Sequence, residues 1–428
     1  MDLALDPAAI PSSAFAIAYS GGGDSTALLH ALARYKPQVF IVDHGLRGGS
    51  AAEARAAQDF ANSLGLSCDI LSWKPPRLTG AVQAKARAAR YGLLGQACRA
   101  RGVTALVTGH TQDDQAETVL MRLSRGSAGS KDAWRGCAGM RLITPAPVWP
   151  QLADIDVHRP MLGISRADIR RYLAQHKLPF VDDPSNENEA FSRIRARREI
   201  AARPFLRRDM LALAQEMQMG RQAEASRLAA MLEGASIDEF GVARAAMPLS
   251  VKALAFLIAG VSGQPSTDMA AAARLCERLG RSDVAAATLG GASLKLLRRS
   301  PIETLVISRD PVMASGRSGL SALGAFQTAG RTLWDGRFWI DGSYSAEPAL
   351  GKLGTLPRAL KSALKACPAQ ARPTLPYVTL NDRLIAVGPY GADGQLSFVV
   401  KSAVLPRLKR ELSAFWVKPK LMTVSYEK

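Results

Sequence analysis

The sequence lacks closely spaced cysteines. Its 428 residues include five cysteines, and no two of them have Cys-x-x-Cys spacing. Zinc ribbons and iron–sulfur sites use such pairs, so the spacing argues against both. An odd number of scattered cysteines also argues against a disulfide scaffold. We therefore expect most of them to be small buried residues; they are Cys68, Cys98, Cys137, Cys276 and Cys367.

The chain also lacks an apolar run of the roughly 18 residues that a membrane-spanning helix needs. Its first residues include Asp2 and Asp6 and no basic residue, unlike a secretory signal. With 47% hydrophobic and 21% charged residues, the composition is that of a globular protein rather than a disordered one. We therefore expect a cytoplasmic protein with no membrane partner.

Acidic residues are few relative to basic ones. Asp and Glu number 37 and Lys and Arg 55, which gives a formal net charge of +18. Such a surplus favours a polyanionic partner, although a generally basic soluble protein also fits it. The length exceeds what one hydrophobic core usually organises, so we expect two or three domains.

Three patterns follow one another along the chain. Residues 1–205 alternate apolar strand runs with helical stretches, which predicts an α/β domain with a Rossmann-like parallel sheet. Residues 206–312 have a mainly helical pattern, and residues 320–428 carry short strands with hairpin signals that predict a small α+β domain. The candidate strands of the first domain are Phe15–Tyr19, Val39–Asp43, Cys68–Trp73 and Ala105–Thr108.

A glycine-rich loop separates the first predicted strand from the first predicted helix. It reads Ser20-Gly21-Gly22-Gly23-Asp24-Ser25. Glycines let the backbone approach an anion, and the start of a helix offers unpaired N–H groups, so this arrangement favours phosphate binding. The loop lacks the Lys of a Walker A motif and looks like the pyrophosphate-binding loop of ATP pyrophosphatases. The alternative is an ordinary tight turn that opens a helix.

Two further motifs follow predicted strand ends, Asp43-His44 and Gly109-His110. Ligands of parallel sheets bind at the carboxyl ends of the strands, so we expect these motifs to converge with the glycine loop on one crevice. In the helix that follows, Asp114 and Glu117 are three residues apart and share a face. Two such carboxylates suit an ammonium ion or a magnesium ion, or they merely complement the helix dipole.

A dense basic run follows these motifs. An electrostatic footprint for a phosphate backbone is one reading of it, and a solvated helix face is the other. The near absence of alternating acids favours the first reading. The run consists of Arg193, Arg195, Arg197, Arg198, Arg203, Arg207 and Arg208.

Together the motifs resemble the tRNA(Ile)-lysidine synthetase family. The matching stretches read SGGGDS, VDHGLR, an ARxxRY-like helix, GHTQDDQAETVLMRLSRGS, RPML, and DDPSN followed by Arg193 and Arg197. They cover about the first 200 residues. The resemblance implies an adenine nucleotide α-hydrolase-like fold, ATP and Mg²⁺ as cofactors, and free L-lysine and a minor isoleucine tRNA with a CAU anticodon as partners.

The resemblance also implies a reaction in which ATP adenylates C2 of the wobble cytidine and lysine then displaces AMP. Asp24 would position Mg²⁺, Asp114 and Glu117 would hold lysine, and Arg193 or Arg197 would neutralise phosphate charge. The implied nucleotide-binding residues are Ser20, Gly21, Gly22, Gly23, Asp24, Ser25, Asp43, His44, Arg47, Gly109 and His110.

Three alternatives stay open. A tRNA thiolase of the same pyrophosphatase class would need cysteine pairs, which this chain lacks. A small-molecule amidating ligase would share the loop but would not explain the arginine run. A non-enzymatic RNA-binding protein would leave the acidic motifs unexplained. The sequence does not distinguish a monomer from a homodimer.

Overall fold

The computed structural model of the chain describes residues 2–43, 45, 49–73, 82–126, 134–181, 192–281, 283–299, 302–314, 326–397, 399–413 and 422–424. The chain divides into two compact units, Met1–Ala223 and Glu224–Lys428. This division into two units does not test the predicted domain boundaries near residues 205 and 312, which remain predictions.

The first unit is built on a six-stranded sheet with the order β3-β2-β1-β4-β6-β5. All neighbouring strands run parallel except β5 and β6, which are antiparallel. The predicted parallel sheet is therefore confirmed, and each of the four predicted strands agrees to within a residue at either end. The strands are β1 (Ala16–Tyr19), β2 (Gln38–Asp43), β3 (Cys68–Ser72), β4 (Ala105–Thr108), β5 (Ile143–Pro145) and β6 (Asp156–His158).

Helices cover both faces of this sheet. On β1, Ile17 and Tyr19 pack into one apolar cluster, whereas Ala16 and Ala18 pack into another. Successive side chains of a strand point to opposite faces, so β1 is buried on both sides, as is usual in parallel sheets. The helices are α1 (Gly23–Leu32), α2 (Ser50–Ser63), α3 (Val82–Ala100), α4 (Gln112–Gly126), α5 (Trp134–Cys137), α6 (Arg166–Gln175), α7 (Ser192–Ala202) and α8 (Pro204–Met231).

The strand order places a crevice next to β1. This strand pairs with β2 on one side and with β4 on the other, so the chain direction across the sheet reverses between β1 and β4. Loops that leave two such strands turn to opposite faces and open a gap at the carboxyl edge, which is where ligands of open α/β sheets bind. The glycine loop follows β1, and Gly109-His110 follows β4.

The second unit combines helices with a six-stranded sheet of order β20-β7-β8-β11-β10-β9. The predicted helical stretch from Val251 to Leu279 forms two helices, because the chain turns at Gly263 (φ +74°) and Asp268 caps the next helix. Helical periodicity alone did not identify the strands that precede and follow these two helices. The elements are β7 (Ser236–Asp238), β8 (Ala243–Ala246), α9 (Val251–Ser262), α10 (Met269–Gly280), β9 (Ala286–Leu289), β10 (Ala292–Arg299), β11 (Ile302–Arg309) and β20 (Met422–Val424).

A five-stranded sheet, β12-β15-β16-β17-β18, and a three-stranded sheet, β13-β14-β19, complete this unit. The hairpin predicted at Asp335-Gly336 is confirmed, with both residues at positive φ between β13 and β14. The elements are α11 (Pro311–Ala314), β12 (Phe326–Gln327), β13 (Arg331–Trp334), β14 (Phe338–Asp341), β15 (Ser345–Pro348), α12 (Arg358–Ala363), β16 (Pro376–Leu380), β17 (Arg383–Val387), β18 (Tyr390–Gly391), β19 (Val400–Ser402) and α13 (Val404–Ser413).

Helix α13 belongs to the core of the earlier part of this unit. Val404, Leu408 and Leu412 are buried in one cluster with Leu254 and Leu257 of α9. A cut near residue 311 would therefore remove part of that core. Of the helices in the described ranges, none is long and apolar enough to cross a membrane.

A buried ion-pair triad fixes the hairpin. Arg309 donates to both Asp335 oxygens, at 3.0 Å from Nε and 3.2 Å from Nη2, and Arg337 Nε donates to Asp335 at 2.7 Å. All three side chains are at most 5% exposed. One carboxylate thus pairs with two buried guanidiniums, and its loss would remove this ion pair from both.

We predict that Asp335→Asn lowers the free energy of unfolding by about 3–5 kcal/mol, the usual cost of removing one partner of a buried pair. Asn tolerates the positive φ, so the change isolates the charge. Urea denaturation of the full chain measures the loss. Asp341→Asn is the control: its exposed pair with Arg331 at 3.9 Å is worth less than about 1 kcal/mol. Equal losses in the two variants would contradict the prediction.

Candidate active site

The glycine loop is held by its own backbone and hydroxyl groups. Gly21 has φ +76°, a conformation that favours glycine. The Thr26 N–H donates to the Gly22 carbonyl at 2.9 Å, and Ser25 Oγ donates to the same carbonyl at 2.9 Å. Ser20 Oγ lies 3.0 Å from Ser25 Oγ. The turn is therefore set before any ligand binds, with the start of α1 facing the crevice.

The loop after β4 lies against the glycine loop. A Cβ atom on Gly109 would lie 3.2 Å from the backbone carbonyl carbon and oxygen of Asp24, tighter than most such contacts. Next to it, His110 Nδ1 is 2.8 Å from Thr108 Oγ1. Burial, together with nearby guanidiniums led by that of Arg159, holds the pKa of His110 well below its usual value. His110 is therefore a neutral imidazole near pH 7.

Helix α4 presents two buried carboxylates at its start. Asp114 Oδ2 accepts from the Thr111 N–H at 2.9 Å, and Thr111 Oγ1 accepts from the Asp114 N–H at 3.2 Å. This reciprocal pair is a capping box, and it orients Asp114. Glu117 lies one turn further on the same face, and the Asp114 and Glu117 side chains are only 10% and 2% exposed.

Three guanidiniums satisfy these carboxylates. Arg166 donates to Asp114 Oδ1 at 3.0 Å and to Glu117 Oε1 at 3.2 Å. Arg193 donates to Asp114 Oδ1 and Glu117 Oε2, both at 2.9 Å. Arg197 donates from Nε to Glu117 Oε1 at 2.9 Å. Burial alone would lower the pKa of Arg166 and Arg193, but the two carboxylates outweigh it and raise both values.

Arg166 connects this cluster to the glycine loop. Its Nε lies 3.6 Å from Asp24 Oδ2, and its backbone N–H donates to Asp113 Oδ2 at 2.7 Å. Burial raises the pKa of Asp24; the Asp114 charge adds to this, and Arg166 opposes it. One side chain thus touches the carboxylates of the loop and of α4.

Arg166 was not among the predicted site residues, although a signal for it exists in the sequence. Ser165 caps α6 by accepting from the Asp168 N–H, and Ser-x-x-Asp is a recognisable helix start. The motif places Arg166 in the first turn of α6. Nothing in the local sequence indicates that this turn lies beside α4, about fifty residues earlier.

These elements surround a cavity of about 400 Å³. Five arginines line it against three acidic residues, Asp24, Glu53 and Asp114, so the cavity suits an anionic ligand. Two of the five, Arg193 and Arg197, were predicted site residues, and Arg90 had been noted only as part of a motif helix. The five are Arg90, Arg166, Arg170, Arg193 and Arg197.

Most of the sequence-predicted site residues meet at this cavity. Glu117 is not part of the cavity lining, but its carboxylate accepts from Arg197, which is. Gly21 forms the turn of the glycine loop with its positive φ. Asp43 ends β2, where its carboxylate accepts from the Gly45 N–H at 3.0 Å, and it does not line the cavity. His44 and Arg47 lie outside the described residues, as does the motif 182–186. The predicted residues that line the cavity are Ser20, Gly22, Gly23, Asp24, Ser25, Gly109, His110, Asp114, Arg193 and Arg197.

The predicted arginine run has two sides. Arg193 and Arg197, four residues apart on α7, face the acidic pair. Arg195 and Arg198 are exposed, and the Arg208 side chain is 79% exposed. The run is therefore neither wholly a solvated face nor wholly a nucleic-acid footprint, since part of it serves the cavity.

The carboxylates at the cavity are suited to a Mg²⁺ ion that is bound together with a phosphate ligand. Among the described residues, no group of three or more His, Cys, Asp or Glu side chains is arranged to hold a metal ion alone. Mg²⁺ is usually bound by one or two carboxylates together with substrate phosphates rather than by an all-protein cage. Asp24 and Glu53 supply carboxylates at the cavity wall.

Comparisons with known proteins identify a matching domain family and several relatives of this chain. The family model of the PP-loop domain matches residues 4–203. A tRNA(Ile)-lysidine synthase from Hyphomonas neptunium is 40% identical over 216 residues, 49% of this chain and 56% of that protein. The chain therefore spans little more than half of that relative.

Two other relatives are covered more fully. The tRNA(Ile)-lysidine synthase of Methylobacterium nodulans is 38% identical over 58% of this chain and 75% of its own length. That of Caulobacter vibrioides is 30% identical over 88% of this chain and 86% of its own. Among solved structures, a U34-tRNA thiolase, NcsA from Methanococcus maripaludis with its [4Fe-4S] cluster, matches at TM-score 0.41 and 16% identity, covering 50% of this chain and 75% of that one.

We predict that Glu117→Gln destabilises the fold by roughly 3 kcal/mol, because it removes a buried charge from among three guanidiniums. Thermal and urea unfolding of the full chain measure the effect. Glu199→Gln is a matched control on neighbouring α7, since the Glu199 pair with Arg203 is exposed and should contribute under about 1 kcal/mol. A Glu117→Gln protein as stable as the control would show that the cluster does not hold α7 in place.

Proposed function

Because the chain belongs to the tRNA(Ile)-lysidine synthase family, we propose that it ligates free lysine to C2 of the wobble cytidine in a tRNA with a CAU anticodon. One observation carries the proposal. A phosphate-cradling glycine loop and a buried carboxylate pair adjoin one arginine-lined cavity, and Arg166 contacts both. Such a cavity suits a reaction that joins a nucleoside triphosphate, a nucleic acid and an amine. Those substrates meet in the cytoplasm.

In the first proposed step the C2 oxygen of cytidine attacks the α-phosphorus of ATP. A new O–P bond forms, the bond to the β-phosphate oxygen breaks, and pyrophosphate leaves. The N–H groups at the start of α1 and the hydroxyls of Ser20 and Ser25 are suited to hold the leaving pyrophosphate. Mg²⁺ held by Asp24 would neutralise further phosphate charge.

In the second step the ε-nitrogen of lysine attacks C2. The N–C2 bond forms, the C2–O bond breaks, and AMP leaves with that oxygen. The lysine ammonium has an ordinary pKa of about 10.4, so it must lose a proton before attack. Asp114 and Glu117 are suited to bind the ammonium, and a carboxylate at the cavity is suited to take the proton. Arg193 or Arg197 would neutralise charge on the departing phosphate.

The structure gives little support to the thiolase alternative. None of the five cysteines, all of which lie among the described residues, forms a disulfide bond, and burial raises the pKa of both Cys68 and Cys98 to about 12. Sulfur chemistry needs a thiolate, and these groups remain thiols near pH 7. A small-molecule amidating ligase stays the second alternative, but it does not account for the number of exposed arginines on α7 and α8.

Incubation of the protein with ATP, radiolabelled lysine and bulk tRNA tests the proposal. We expect label in acid-precipitable RNA. In a parallel reaction without lysine, we expect pyrophosphate release that depends on tRNA. Asp24→Ala should abolish pyrophosphate release with the fold retained, because Asp24 lies at the phosphate cradle. Absence of label with the wild-type chain would refute the function.

Asp59→Ala serves as the control for that variant, since Asp59 is exposed on α2, away from the cavity lining. It should release pyrophosphate at the wild-type rate. Wild-type release by a folded Asp24→Ala protein would instead remove Asp24 from the proposed mechanism.

The second unit is proposed to bind the tRNA body. Arg358 and Lys361 on α12, and Lys365 just beyond it, are exposed and recur at i, i+3 and i+7, so they share one face. We predict that changing all three to Gln weakens tRNA binding and reduces the slope of log K against log salt by about 0.7–0.9 per lost phosphate contact. ATP binding should not change.

The charge-preserving triple variant Arg358→Lys, Lys361→Arg and Lys365→Arg is the matched control and should keep the wild-type slope. Fluorescence-based tRNA titrations over a range of salt concentrations measure both variants. Identical slopes for the Gln variant and the wild type would mean that this face is only solvated.

A further inference from the structure

Phe205 is exposed beside the basic run. It is the second residue of α8, and its side chain is 71% exposed, more than any other large apolar side chain among the described residues. Phenylalanine is usually buried, although a single exposed apolar residue is common and by itself indicates nothing. The residues around Phe205 therefore decide what its exposure indicates.

Two exposed arginines flank this ring. Arg208 lies one turn further on the same face of α8, with its guanidinium carbon 5.7 Å from the centroid of the Phe205 ring. Arg203 precedes the ring by two residues, and the side chains of Arg203 and Arg208 are 68% and 79% exposed. Their ion pairs, with Glu199 and Asp209, are also exposed and therefore weak enough for a phosphate to compete with them.

An exposed ring between two arginines is suited to single-stranded nucleic acid. Such proteins stack unpaired bases on aromatic side chains and hold the phosphates with basic ones. Arg208 lies over one face of the Phe205 ring, and the exposure of this side chain leaves the other face to solvent. We call Arg203, Phe205 and Arg208 the aromatic platform.

The aromatic platform is anchored to the helix that carries the acidic pair. Leu206, next to Phe205, packs into one apolar cluster with Ala116 and Val119 of α4. Arg207 donates to Asp113 Oδ1 at the start of α4, at 3.3 Å. The start of α8 is therefore held against α4, whose own start adjoins the glycine-loop cavity.

A base that reacts in this cavity must leave the stack of its strand. Under the proposed function ATP and lysine both have to reach C2 of the cytidine, which stacked neighbours would cover. Enzymes that act on a base extrude it and lose its stacking energy. The neighbouring base then has one uncovered face, and a protein ring placed on that face recovers part of the loss.

We propose that Phe205 stacks on the unpaired nucleobase next to the wobble cytidine, while Arg203 and Arg208 bind the phosphates on either side of that nucleotide. The assignment rests on the proposed function and extends it to a second nucleotide of the RNA. Stacking does not read the donors and acceptors of a base, so the contact selects an unpaired nucleotide rather than a particular sequence.

A double-mutant cycle tests the stacking contact. It combines Phe205→Ala in the full chain with a CAU anticodon stem-loop RNA that is abasic at one neighbour of the cytidine, each neighbour in turn. At one of the two positions, either change alone should weaken binding by about fivefold to 150-fold, the usual range for one stacked base. Both changes together should weaken it no further than the larger single loss. Losses that multiply at both positions would overturn the proposal.

Two further variants separate stacking from apolar contact. Phe205→Trp keeps an aromatic face and should bind the unmodified RNA as tightly as the wild type. Phe205→Leu keeps an apolar side chain without a ring and should bind it as weakly as Phe205→Ala. A Leu variant with wild-type affinity would show that no stacking occurs. Because the Phe205 ring is exposed, Phe205→Ala should unfold at the wild-type temperature.

Tyr35→Ala is the matched control. Tyr35 is likewise an exposed ring beside an arginine, 44% exposed and with the Arg34 guanidinium carbon 4.9 Å from its centroid. It lies beyond the end of α1, whereas the glycine loop lies at the start of that helix. It should keep the wild-type affinity, and an equal loss in Tyr35→Ala and Phe205→Ala would overturn the proposal. A wild type that shows the predicted cycle yet transfers no lysine would instead overturn the proposed function.

Discussion

The structure of the first unit depends on two buried carboxylates at the start of α4. A buried carboxylate is costly unless opposite charges and hydrogen bonds compensate it. Asp114 and Glu117 meet this requirement with guanidiniums from α6 and α7, elements that follow them by fifty residues and more. The need to compensate these buried carboxylates therefore determines where Arg166 and Arg193 lie. Arg166 also connects the acidic pair to the glycine loop.

The parallel sheet places the acidic pair beside the glycine loop. Because β1 and β4 are neighbours, their carboxyl ends bring the glycine loop and the start of α4 to one edge. Gly109 permits the approach, since a side chain there would press on the backbone of Asp24. The start of α1 lines this space, and its helix dipole adds to the positive potential of the arginines. Fold topology and charge thus favour the same anionic ligand.

Much of this arrangement was predictable from local signals. Apolar runs and glycine turns identified the four strands, and the loop and the acidic pair were found from residue type and spacing. The contacts of Arg166 with the acidic pair and of Arg207 with Asp113 were not predicted, because these partners lie about fifty and ninety residues away and ion pairing between distant elements leaves no periodic pattern. Strands β7–β11 were missed for a related reason: short strands paired at a distance carry a weaker signal than the helices beside them.

The surplus of basic residues affects how a cationic ligand can reach the acidic pair. At the acidic pair, three guanidiniums already satisfy two carboxylates, so under the proposed function the lysine ammonium would compete with the protein's own arginines rather than fill an empty acidic site. An ammonium is a compact point charge with three donors, whereas a guanidinium needs its planar fork aligned. Under the proposed function, the guanidinium that an ammonium would replace is that of Arg197, which makes a single bond to Glu117. This exchange would leave the net charge at the carboxylates unchanged, and the released guanidinium would remain at the glycine-loop cavity, which Arg197 lines. Under the proposed function, amine binding and phosphate stabilisation are thus coupled through one arginine.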